Sequence, residues 1–228
     1  MKIDMRIAIA AALLAMLSKT EAANLNSVYI DQVGSSSTIG VTQNGSGNEA
    51  GNSTTSMTLS GTGQNISIQQ VGSNNTAAVN VQGGNATLNT TATGSNNAVT
   101  VNCGATPTTS CTDSNITADA TGNNNTISTT ATAKSTVSTT VNGNNNTATI
   151  NSNTTNLLGA RATITATGNS NNMSISQTGP AGANGFNAEM TVTGDSNTVG
   201  VTQTGTVDSD VQINSSGSNN SITVNSGN

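Results

Sequence analysis

The chain has 228 residues, of which ten are acidic, five are basic and none is histidine, with one tyrosine and one phenylalanine as its only aromatics. So little apolar surface cannot offset chain entropy in an ordinary globular core, and a formal net charge of −5 argues against nucleic acid and anionic membrane as partners. Disordered chains of low hydrophobicity normally carry high charge and much proline; here 7% of residues are charged and only Pro107 and Pro180 occur, so order through repetition is expected.

Lys2 and Arg6 precede an apolar run over 7–17, and Thr20-Glu21-Ala22 places small residues at the −3 and −1 positions. This reads as a secretory signal peptide over 1–22, cleaved after Ala22, which sends the chain through the periplasm to the cell surface or beyond. The run is far short of the roughly 20 residues that span a bilayer, and no later segment reads as a membrane span. Residues 23–228 keep only Lys134 and Arg161 as cations, against Asp31, Glu49, Asp113, Asp119, Glu189, Asp195, Asp208 and Asp210.

From residue 27 onward the chain repeats one phrase: glycine, two polar residues, asparagine, then alternating aliphatic and polar residues. Copies begin at Gly34 (with Ser37 in place of Asn), Gly72, Gly94, Gly122, Gly143, Gly168, Gly194 and Gly217. From Gly72 the intervals are 22, 28, 21, 25, 26 and 23 residues, a period that belongs to stacked repeats. Alternation at period two predicts strands with one face turned inward, as in Val28, Ile30 and Gln32 before the Gly34 bend and Ile39, Val41 and Gln43 after it. Glycine, free to take positive φ, supplies the bend.

Each unit therefore reads as strand, arc, strand, arc, and the fold class as an all-β solenoid of repeats of about 22–28 residues. One unit cannot satisfy its own edges; stacked at about 4.8 Å, each strand pairs with its equivalents above and below. Asn75, Asn97, Asn125, Asn146, Asn171, Asn197 and Asn220, three places after each glycine, are then expected to form an amide ladder. Asn is also simply a good turn former, but that does not explain the constant offset. Gln32, Gln43, Gln70, Gln177 and Gln203 are candidates for further ladders.

Cys103 and Cys111 flank a proline-containing excursion between two repeats. In an exported chain, two cysteines this close are expected to form a disulfide that pins the insertion at 103–111. The spacing is not CxxC and there is no histidine, so neither a metal nor a redox site is expected, and no cofactor.

Gln70-Val-Gly72-Ser-Asn-Asn75-Thr-Ala77 resembles the central part of the repeat of the curlin subunits, which build bacterial curli amyloid fibres. Gln32, Gly34, Ile39 and Gln43 follow the same offsets, as do Val192, Gly194, Asn197, Val199 and Gln203; Gly168, Asn171, Met173 and Gln177 keep the later half. The chain departs from the family around Gly94, Gly122 and Gly143, where both flanking glutamines are lost and Ala92, Ala120 and Val141 stand instead, and in its scarcity of aromatics, its wandering repeat length and the cysteine-flanked insertion. The resemblance implies a secreted β-solenoid over 23–228 that joins end to end with copies of itself into an extracellular fibre for biofilm, adhesion and cell aggregation. It also implies dedicated export and nucleator proteins as partners. An adhesin, or an accessory or nucleating component of the fibre, uses the same rung.

An ice-binding solenoid needs regular Thr-x-Thr pairs. Thr91/Thr93, Thr165/Thr167 and Thr191/Thr193 fit, but Asp31/Val33, Gln69/Val71, Asp119/Thr121, Thr140/Asn142 and Asn214/Ser216 interrupt the series. An enzyme is not expected either. Carboxylates that cleave polysaccharide come in clusters, whereas Asp208 and Asp210 are the only near pair here, and no catalytic residue is nominated.

Overall fold

A computed structural model describes residues 25–52, 57–62, 64–82, 86–102, 104, 114–131, 135–154, 160–179, 186–204 and 209–227. The expected signal peptide at 1–22 and both Cys103 and Cys111 lie outside the described residues.

Alternating inner aliphatic and outer polar residues make strands throughout. The chain enters as β1 (Ser27–Val28) and β2 (Ile30–Ser35), crosses to β3 (Thr38–Ser46), and returns as β4 (Glu49–Ala50) and β5 (Met57–Thr62). It continues through β6 (Asn65–Ser73), β7 (Thr76–Gln82), β8 (Thr87–Ser95), β9 (Ala98–Asn102) and β10 (Asn115–Ala118). Then come β11 (Thr126–Ala131), β12 (Ser135–Val141), β13 (Thr147–Thr154), β14 (Ala160–Ala166) and β15 (Asn172–Gly179). The last four are β16 (Phe186–Val192), β17 (Thr198–Thr204), β18 (Ser209–Ser215) and β19 (Ser221–Gly227).

These strands form two sheets. The leading sheet has eight strands, β3-β6-β8-β10-β12-β14-β16-β18, each running into a glycine bend. The trailing sheet collects the strands that leave those bends, β4-β7-β9-β11-β13-β15-β17-β19, with β1 beside β4 and the β2–β5 pair continuing the first two rungs. Neighbours pair in parallel, each strand with the equivalent strand one repeat away. The protein is an all-β solenoid, and among the described residues there is no helix. No helix among them is therefore long and apolar enough to cross a membrane.

Between the sheets the inner side chains stack into columns. Ile39, Ile66, Leu88, Ile116, Val137, Ala162, Ala188 and Val211 share one register on the leading sheet. Val79, Val101, Thr129, Ile150, Ile175, Val201 and Val224 share one on the trailing sheet. Burying an Ile, Leu or Val in such a column stabilises the stack by about 1.5–3 kcal/mol each, so many thin layers together supply the core that no single rung has.

The first repeat differs from the sequence expectation. Thr38–Ser46 pairs with Asn65–Ser73, so Gly45 stands opposite Gly72, Ile39 opposite Ile66, and Gln43 opposite Gln70. The bend equivalent to the others is thus Gly45-Ser46-Gly47-Asn48. Gly34 belongs to the opposite bend, at the end of β2, where it is the register partner of Gly61. Ile39, Val41 and Gln43 therefore run into the Gly45 bend, and the bend they follow is the opposite one. Alternation has the same parity on either side of either bend, so apolar pattern alone does not distinguish them; the asparagine at the fourth place does, and Ser37 lacks it.

Candidate functional site: the glycine bend and its ladders

At the bend, side-chain amides take over the hydrogen bonds of the asparagine N–H and the glycine carbonyl, while the residues on either side of each asparagine keep backbone bonds to neighbouring rungs. Asn75 shows the scheme. Its backbone N–H donates to Asn48 Oδ1 at 3.1 Å and its Nδ2 donates to the same oxygen at 3.0 Å. The Asn75 Nδ2 also donates to the Gly94 carbonyl of the following rung at 2.9 Å. Asn97, Asn125 and Asn146 each repeat all three contacts with their own neighbours. Asn171 and Asn197 donate their backbone N–H to the preceding Asn and Nδ2 to Gly194 and Gly217, and Asn220 donates its N–H to Asn197 Oδ1 at 2.9 Å.

The ladder begins earlier than the sequence suggested. Asn48 donates its N–H to Asn26 Oδ1 at 2.9 Å and its Nδ2 to Gly72 O at 2.9 Å, while Asn26 Nδ2 donates to Gly45 O at 3.0 Å. Asn48 is legible in the sequence as Gly45-x-x-Asn48, a copy that the nearby Gly34 phrase obscures; Asn26 has no glycine three places before it. From Asn48 to Asn197 these amides are fully buried. A buried carbonyl or N–H left unpaired costs about 1–3 kcal/mol, so every rung holds its neighbours' bends in place.

The glycines are fixed by contact. A Cβ on Gly72 would fall onto the Gly94 carbonyl oxygen, and one on Gly94, Gly122 or Gly143 onto the carbonyl of the next glycine in the column. The second residue after each glycine takes left-handed backbone, with φ of 56° at Asn74, 57° at Asn96, 56° at Asn124 and 58° at Ser196. Asn visits that region at least cost among non-glycine residues, which accounts for the Asn- and Ser-rich third position.

A second, exposed ladder runs through the residue just after the glycine, and sequence reasoning missed it. Here the direction is reversed. Ser95 N–H donates to Asn123 Oδ1, Asn123 N–H to Asn144 Oδ1, Asn144 N–H to Asn169 Oδ1, and Asn169 N–H to Asp195 Oδ1. The Gly-Asn-Asn-Asn runs at Gly122 and Gly143 carry that signal.

The glutamines divide into two short pairs on different sheets. Gln43 Nε2 donates to Gln70 Oε1 at 2.8 Å on the leading sheet, and Gln70 Nε2 donates to the Asn75 and Glu49 carbonyls. Gln177 Nε2 donates to Gln203 Oε1 at 3.1 Å on the trailing sheet. Gln32, on β2, is exposed with Leu59 as its register partner, so the five do not make one continuous ladder. Between the pairs, the inner positions hold Ala92, Ala120 and Val141, together with three hydroxyls, Thr90, Thr129 and Thr139, that are buried without a hydrogen-bond partner.

Of the near carboxylate pair, Asp208 lies outside the described residues, while Asp210 is exposed on β18 and accepts from Asn187 Nδ2 at 3.4 Å. Asp119 is half-buried beside Thr140, whose hydroxyl donates to its Oδ2 at 3.3 Å. Burial raises its pKa above the usual carboxylate value, and the Thr140 hydrogen bond opposes that rise. Among the described residues no group of His, Cys, Asp and Glu has the arrangement of a metal site. The chain matches no protein-family model, no curated protein and no solved structure.

Proposed function

We propose that this chain is an exported structural subunit that stacks end to end with copies of itself into an extracellular, curli-like amyloid fibre, serving adhesion and cell aggregation. The observation that carries this reading is where the interior is incomplete. Among the described residues, the inner aliphatic side chains that are only partly buried are Val28, Ile39, Val41, Val211, Ile222 and Val224. All six lie in β1, β3, β18 and β19, the first and last strands of the two sheets. The large hydrophobics left exposed, Leu25, Tyr29, Ile30 and Val33, gather at the first rung as well. Strand edges backed by apolar side chains recruit further strands, and here each column has a like column to meet.

The asparagine ladder gives such stacking a direction. In every pair of the buried ladder the later Asn donates its N–H and the earlier one accepts, so an added copy continues that ladder only head to tail, its Asn26 donating toward Asn220 of the copy before it. The resemblance to curlin subunits supports the same reading and adds export and nucleator proteins as partners. The test is to purify the chain without its first 22 residues and follow thioflavin fluorescence and fibre diffraction. Fibrils with reflections at about 4.7–4.8 Å and about 10 Å are expected. Protein that stays monomeric through long incubation would sink the fibre and leave the solenoid adhesin as the reading to pursue.

A further inference from the structure

The two outer faces of the stack differ in charge and in side-chain size. On the trailing sheet, β9, β11, β13, β15, β17 and β19 contain no charged or aromatic residue at all. Their outward positions hold only Ala, Gly, Ser, Thr and Asn, as in Thr126, Ser128 and Thr130 on β11 and Thr198, Gly200 and Thr202 on β17. Charge on this sheet is confined to Asp31 and Glu49 in the first two rungs. The leading sheet instead carries Arg161, Glu189 and Asp210 on its outer face, with Asp119 just past β10.

We propose that the trailing face packs against the trailing face of a second copy, so that two stacks lie side by side. Short side chains in parallel rows let two such faces approach and interdigitate as a dry zipper, in which Asn and hydroxyl rows find partners across the seam. Neutral hydroxyls and amides lose far less on leaving water than carboxylates do. The same approach through the leading sheet would take Arg161, Glu189 and Asp210 out of water together, at the much larger cost of burying charge. Six strands about 4.8 Å apart and some 20 Å long give roughly 600 Å² per copy, or about 1,200 Å² for the pair, within the range of specific interfaces. The proposal does not need end-to-end stacking, although every copy added to a fibre would lengthen the seam.

The test places lysines on one face at a time. Ser128→Lys with Thr149→Lys puts two register partners on the trailing face; Ser138→Lys with Thr163→Lys does the same on the leading face. Single Thr149→Lys and Thr163→Lys chains serve if a double variant does not fold. Filament width by electron microscopy and the mass of soluble protein by sedimentation are read for each. Paired filaments or soluble dimers in the parent and the leading-face variant, reduced to single filaments or monomers in the trailing-face variant, would establish the seam. If the parent forms no fibres but its dimer is lost in the trailing-face variant alone, the fibre proposal fails while the seam stands. Equal pairing in both variants, or a parent that shows neither pairs nor dimers, overturns it. So does a monomer whose trailing face, and not its leading face, is needed to bind ice or a crystalline polysaccharide.

Discussion

The bend column and the inner columns repeat with the same period, yet they tolerate sequence change very differently. At the bend, the glycine is kept from Gly45 to Gly217 and the asparagine from Asn48 to Asn220. In the interior, one leading column runs Ile, Ile, Leu, Ile, Val, Ala, Ala, Val, and another passes through Ile68, Thr90, Ala118, Thr139 and Ile164. The contrast arises from what each column meets. Bend glycines face backbone carbonyls that cannot move aside, and bend asparagines replace backbone partners the turn has removed. Most interior residues face one another across a space where filled volume matters more than identity. Stacked identity is thus demanded by backbone approach and hydrogen bonding, and only approximately by packing.

The sharpest way to break this contrast is to add one methyl group at a bend glycine and one at a strand glycine outside the bend column. Gly143 has φ of 73° and a Cβ there would collide with the Gly168 carbonyl, while a Cβ on Gly200, within β17, would meet nothing within 4 Å. Gly143→Ala is expected to cost about 4 kcal/mol, from the collision and the left-handed backbone together. Gly200→Ala should be neutral or stabilising by about 0.5 kcal/mol. Guanidinium unfolding midpoints of the two variants compare them directly; similar losses would mean the bend is not what fixes glycine.

Next in size is the ladder. Asn125→Asp with Asn146→Asp puts two carboxylates one rung apart and removes the amide donors to the Gly143 and Gly168 carbonyls. Two ionised groups about 5 Å apart at an effective dielectric of about 20 repel by about 3 kcal/mol. Fibril growth should slow at neutral pH and recover as pH falls through the carboxylate range. Growth kinetics unchanged from the parent would reduce these residues to turn formers.

The same contrast governs how much of the molecule is legible without coordinates. Strand parity and the Gly-x-x-Asn bend are local and strictly spaced, so the solenoid and the ladder members from Asn75 to Asn220 can be read from sequence even though the repeat length varies. Gly34 is misplaced by such a reading because a rung has two bends, and alternation enters and leaves both with equal parity. The opposite bend also absorbs the variation in repeat length. Three residues separate Ala131 from Ser135, whereas twelve separate Asn102 from Asn115. Glutamine columns are hard to assign for a related reason. Gln70 and Gln177 lie on different sheets, and only the pairing register shows it.

The interior offers a smaller test. Thr139 sits between Ala118 and Ile164 in its column, with its hydroxyl buried and unpartnered. Thr139→Val keeps the shape and removes the orphan, so it should stabilise by about 1 kcal/mol. A loss of stability, read from the unfolding midpoint, would mean the hydroxyl is satisfied and the column is more exacting than its sequence suggests.

Asp119 gives the smallest effect and the one with a pH signature. Its pKa in the fold is raised above the ordinary carboxylate value near 3.8, chiefly by burial, with the Thr140 hydrogen bond working the other way. The folded state therefore holds this proton more tightly than the unfolded chain does. Stability from the group is fully present below its unfolded pKa and is lost as pH rises through the folded one, so at neutral pH the ionised carboxylate is a local cost. Asp119→Asn, which keeps an acceptor for Thr140 and removes the charge, should raise the unfolding midpoint at pH 7 and leave it unchanged at pH 3. The difference between variant and parent should open just above pH 4 and then level off. A difference that is flat across this range would place the carboxylate in water, and would remove one reason for the leading face to stay out of lateral pairing.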